Sequence, residues 1–93
     1  MAISKGKEIE LLSQEANKLR KDAHERWKQT LSGKITSTEF SQDELRVKAY
    51  LLMQVAFQIE IYADSIPGKY REVNVDEVIA YRKIAVWVRQ LLP

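Results

Sequence analysis

The residues able to carry chemistry are few, and their spacing decides what each can do. His24 is the only histidine in the 93 residues, and it stands between Asp22 and Glu25 on a strongly charged stretch. A di-iron helical bundle needs Glu-x-x-His pairs on two helices, and one histidine cannot supply them. His24 is therefore read as a solvated surface residue. No cysteine is present, which excludes disulfides and thiolate metal sites. Glu60 and Asp64 lie one helical turn apart and could share a proton or a cation. In a helix their ordinary place is the solvent-facing edge, paired with a base such as Arg71. The hydroxyls of Thr36, Ser37, Thr38 and Ser41 have no histidine nearby in sequence to activate them.

The stretch SGKITS at 32–37 holds a Gly-Lys pair like that of a phosphate-binding loop. The loop requires serine or threonine after the lysine and a second glycine five residues earlier. Here Ile35 and Lys28 occupy those positions, and no strand pattern precedes them. No catalytic residue, cofactor site or metal ligand is assigned, and the chain is expected not to be an enzyme.

A basic surface is the remaining chemical candidate. Lys18, Lys21 and Lys28 on the first helical segment, with Arg82, Lys83 and Arg89 on the last, could compose a face for nucleic acid, with Trp27 as a stacking residue. Asp22 and Glu25 interrupt it, and the formal net charge is only +2. Nucleic-acid association is the second functional reading.

The elements that must position these residues are helices. From Lys5 to Ser32, the residues Ile9, Leu12, Ala16, Leu19, Ala23, Trp27 and Leu31 recur at threes and fours. Lys18 with Asp22, Lys21 with Glu25 and Asp22 with Arg26 have the spacing of i,i+4 pairs on a solvated face. Gly33 is a natural residue to follow the helix end, because glycine takes the left-handed conformation without steric cost. Two overlapping start signals come next, Thr36 with Glu39 and Ser41 with Glu44. Ser41 is preferred as the cap of the main helix, with Phe40 and Leu45 as its hydrophobic staple.

The second helix, 41–65, is apolar on three faces. Leu45, Ala49, Leu52, Ala56, Ile59 and Ala63 alternate large and small, which lets a neighbouring helix approach closely. Tyr50, Met53, Phe57 and Ile61 form a second face. Val47, Leu51, Val55 and Tyr62 form a third, mixed with Gln54 and Gln58. Ile66 precedes proline and is biased away from helical angles. Pro67-Gly68 matches the centre of a type II turn. Asn74 then caps a third helix, 75–92, with Glu77 completing the box and Val73 and Val78 as staple. That helix carries Val78, Tyr81, Ala85, Val88 and Leu92 on one stripe, with Ala80, Ile84, Trp87 and Leu91 beside it.

These patterns predict one all-α domain, a three-helix antiparallel bundle with a long first helix. A lone bundle covers two faces of the second helix and leaves one in water, so a homodimer or a protein partner is expected. Tyr50, Met53, Phe57 and Ile61 are the expected interface, and Ile3, Ile9 and Leu12 are expected to reach beyond the bundle. The expected function is stoichiometric protein binding, as an adaptor, inhibitor or regulatory subunit. The apolar run from Ala49 to Ala63 is too short and too polar for a membrane span, which takes about 20 residues. The start MAISKGKEIELL has no signal-peptide core, and Ala2 stands where myristoylation needs glycine. With cysteine absent, a cytoplasmic setting is expected.

Overall fold

A computed structural model describes residues 4–91, so Ile3 and Leu92 lie outside the described residues. Among them the chain forms three packed α-helices and no strand: α1 (Lys5–Leu31), α2 (Gln42–Ser65) and α3 (Val75–Val88), with a 3-10 segment (Ile66–Glu72) between α2 and α3.

Local chemistry accounts for the helix ends. The Ser4 hydroxyl accepts from the Lys7 N–H and opens α1. At the other end the Gly33 N–H bonds to the Thr30 carbonyl and the Lys34 N–H to the Gln29 carbonyl. Those two bonds make a Schellman cap, and Gly33 takes the required positive φ of 72°. Ser41 and Glu44 close a full capping box on α2. The earlier start signal at Thr36 is not used. Instead the Ser37 hydroxyl accepts from the N–H groups of Glu39 and Phe40, giving a local turn that does not propagate. Asn74 caps α3, but its side chain accepts from the Asp76 N–H and not from that of Glu77.

The segment after α2 differs from the expected type II turn. Gly68 does not take the positive φ that such a turn needs, and Ile66 is helical with φ −60° and ψ −44°. Ile66 is fully buried, and keeping the helical path carries its side chain into the core. That burial overrides the mild restriction that proline places on its predecessor. The break falls later, at Lys69, whose φ of −141° is not helical.

The core is built around α1. Its Leu12, Ala16, Leu19 and Ala23 are buried against Leu45, Ala49, Leu52, Ala56 and Ile59 of α2 and Val78, Ala85 and Val88 of α3. Small residues alternate with large ones on α1 and on α2, so the two backbones approach closely while leucines fill the gaps. Both α2 and α3 pack far more extensively on α1 than on each other. Contrary to the expectation that Leu12 reaches beyond the bundle, it is fully buried, and Ile9 packs against the same core. The 3-10 segment and α3 come back to the start of α1: the Lys5 ammonium lies 4.8 Å from the centre of the Tyr70 ring, and Arg82 bonds Glu8 at 3.1 Å.

Two stability measurements check this packing. Leu12→Ala is expected to cost about 2–5 kcal/mol in denaturant unfolding, as for a fully enclosed leucine. A cost below about 1 kcal/mol would place Leu12 at the edge of the fold. Asn74→Ala is expected to cost about 1 kcal/mol through loss of the Asp76 N–H bond, read as a lowered melting temperature.

Candidate protein-binding surface

Because α1 holds both other helices, the side of α2 turned away from α1 has little over it. Val47, Tyr50, Leu51, Phe57 and Ile61 are each between 47% and 58% exposed. Gln54 and Gln58 are exposed among them. At about 100° per residue these seven positions fall within about 60° of Gln54, directly opposite the buried Leu52, Ala56 and Ile59. Of the expected interface residues, Tyr50, Phe57 and Ile61 therefore lie together in solvent, and Met53 is half-buried at their edge.

Beside this stripe the surfaces of α2 and α3 diverge into an apolar trench. Val55 lies at its floor, with Leu51 on the α2 wall, Ile84 on the α3 wall and Leu91 just past the end of α3. Trp87 of α3 is exposed next to them. Toward the end of α2 the trench is lined by Tyr81, whose ring stacks on that of Tyr62 at 3.8 Å with an interplanar angle of 7°. Burial raises the Tyr62 phenol above its ordinary pKa, and the nearby Glu77 carboxylate and Tyr81 add to the effect. On the α1 side, the stripe borders a shallow depression lined by Arg20, His24, Met53, Phe57 and Glu60. Trp27 tilts against Tyr50 there, with ring centroids 6.2 Å apart.

The basic residues are scattered differently. Arg89 divides its guanidinium between Asp22 at 2.7 Å and Glu15 at 3.3 Å, and Arg82 bonds Glu8, so both are fastened to α1. Lys18 pairs with Glu15, not with Asp22 as the helical spacing suggests. Lys21, Lys28 and Lys83 are exposed. Glu60 meets Arg20 at 3.0 Å, and not the expected Arg71. His24 is exposed. Among the described residues no cluster of three or more His, Asp or Glu is arranged to hold a metal ion. None of the helices is long and apolar enough to cross a membrane.

By sequence alone, Val47 and Leu51 fall on a separate face of α2 from Phe57, and Ile84, Trp87 and Leu91 do not stand out as surface. One signal could have joined Val47 to Tyr50 and Phe57. Residues 47, 54 and 61, with 50 and 57, repeat at intervals of seven, the spacing of a second helix-packing seam. No family model matches this chain, and no curated protein or solved structure shows significant similarity to it.

Proposed function

We propose that the chain is a non-enzymatic helical module that binds protein stoichiometrically, as an adaptor, inhibitor or regulatory subunit. One observation carries the reading: α2 holds five large apolar side chains half in water, in helical register, on the side opposite its core. Each such side chain gains about 1.5–3 kcal/mol when fully buried, so a partner covering half of each recovers several kcal/mol in all. Exposed apolar surface of this kind on a small protein marks a contact site. The trench between α2 and α3 continues the apolar area, and its shape suits an amphipathic helix laid along it. A bundle that is antiparallel along the chain is part of this reading. Its support is the pairing of Trp27 with Tyr50 and, further along α2, of Arg20 with Glu60. A cytoplasmic setting accords with the absence of cysteine.

The nucleic-acid reading has weaker support. Three of its six basic residues, Lys18, Arg82 and Arg89, already face carboxylates of α1. Those acids lower the local positive potential that phosphate contacts require.

Two measurements test these readings. The wild-type chain is expected to form a complex of fixed stoichiometry with itself or with a protein from its host, and Phe57→Asp is expected to weaken it at least 100-fold while far-ultraviolet circular dichroism stays helical. An unchanged complex in Phe57→Asp, or a chain that binds no protein at all, refutes the module. For nucleic acid, labelled single- and double-stranded oligonucleotides titrated at 50 and 200 mM salt are expected to show only weak binding. Submicromolar binding with a steep salt slope would reverse the order of the two readings.

A further inference from the structure

The exposed stripe of α2 has an internal symmetry. Counted outward from Gln54, Leu51 matches Phe57, Tyr50 matches Gln58, and Val47 matches Ile61. Apolar residues therefore stand at equal distances on both sides of one central amide. Two such helices laid face to face in opposite directions bring Val47 level with Ile61 along the centre line, and Tyr50 against Phe57 on the flank nearer α1. The same superposition sets Leu51 against the Gln58 side chain on the other flank, and Gln54 beside its own copy. A contact that uses one patch twice, with residue i on j and j on i, is what a two-fold axis demands.

The charges along the edge of the stripe agree with one orientation. Arg46, Met53 and Glu60 follow one another at intervals of seven along the flank nearer α1. In an antiparallel pair this flank meets the same flank of the other copy. Arg46 then faces Glu60 at both ends, and Met53 meets Met53 in the middle. A parallel pair turns the Arg46 flank toward the opposite one, which carries Lys48, and sets like charges together. Within one chain Arg46 bonds Asp43, and Arg20 bonds a single oxygen of Glu60, Oε2. The other Glu60 oxygen can accept a second arginine, since a carboxylate has about four acceptor positions.

We propose that α2 binds α2 of a second copy of this chain, antiparallel, about a two-fold axis through Gln54. The inference rests on the protein-binding reading above and names the partner. The area is sufficient. Half-exposed side chains of these types offer on the order of 500 Å² of apolar surface per copy. Two copies together reach about 1,000 Å², the lower bound for a specific interface. A polar residue at a central seam position costs some stability and selects register, and Gln54 fills that position.

The chain has no cysteine, so single cysteines introduced by mutation report on geometry without interference. Gln54→Cys is expected to form a disulfide with its own copy under mild oxidation. Val47→Cys and Ile61→Cys, mixed in equal amounts, are expected to give the 47–61 cross-linked pair in at least tenfold excess over either self-linked pair. In the antiparallel arrangement two copies of position 47 stand about 21 Å apart, beyond the reach of a disulfide. Unmodified protein is expected at dimer mass in sedimentation at micromolar concentration. Predominant self-linking of Val47→Cys indicates a parallel pair and overturns the proposal. A monomer mass for the wild type at millimolar concentration, with no 47–61 cross-link, also overturns it. If that monomer still forms a Phe57-dependent complex with another protein, the binding module stands and only self-pairing fails. If it forms none, both fail.

Discussion

The close contact of α1 with α2, made possible by alanines set between leucines, governs the rest of the molecule. Ala16 and Ala23 on one helix, with Ala49 and Ala56 on the other, leave no side-chain bulk to hold the backbones apart. Leucines 12, 19, 45 and 52 are then buried along the length of this core. Since α3 also seats Val78, Ala85 and Val88 in this core, α1 becomes the shared support of both partners. The arrangement is economical for a chain of 93 residues, in which surface is large relative to volume. It also commits the inner side of α2 to one neighbour and leaves the outer side to solvent.

Electrostatics complete the attachment of α3. Its ties to α1 run through Arg82 to Glu8 and through Arg89 to Glu15 and Asp22, all partly shielded from water. Exposed ion pairs contribute little singly, but a guanidinium shared between two carboxylates fixes both position and rotation. The buried stripe of α3 is thus held toward α1, and Ile84, Trp87 and Leu91 are held outward. The same contacts turn these two arginines toward carboxylates of α1.

Much of this was legible in the sequence, for reasons that are local. The threes-and-fours spacing of Leu12, Ala16, Leu19 and Ala23 marked the core side of α1, and the alternation from Leu45 to Ile59 marked that of α2. Ser41, Asn74 and Gly33 signalled helix ends because capping depends on neighbours within four residues. What could not be read depended on partners distant in sequence. Ile66 continues a helical path against the preference of a residue before proline because its side chain has a buried place to fill. Leu12 is buried where the 3-10 segment and α3 return to the first turns of α1, at Lys5 and Glu8. Asp22 turns from Lys18 to Arg89, 67 positions away. For the candidate surface, Tyr50, Phe57 and Ile61 were identifiable, since three apolar faces exceed what two neighbours can cover. Val47 and Leu51 were assigned elsewhere because the angular order of residues tells nothing of which neighbour takes which face.

The return of α3 to the first turns of α1 has a kinetic consequence. Trp27 meets Tyr50 by closing a short loop, whereas Glu8 meets Arg82 across 74 residues. Loop closure costs more entropy the longer the loop, and slowly formed contacts are those of high sequence separation. As the chain leaves the ribosome, the second half of α1 can zip onto α2 while α3 is still unmade. The first half of α1, with Ile9 and Leu12, meets only the far end of α2 and gains the rest of its cover when α3 emerges. The first turns of α1 are in this way made before α2 and α3 and yet are among the last of the three-helix core to be fully covered.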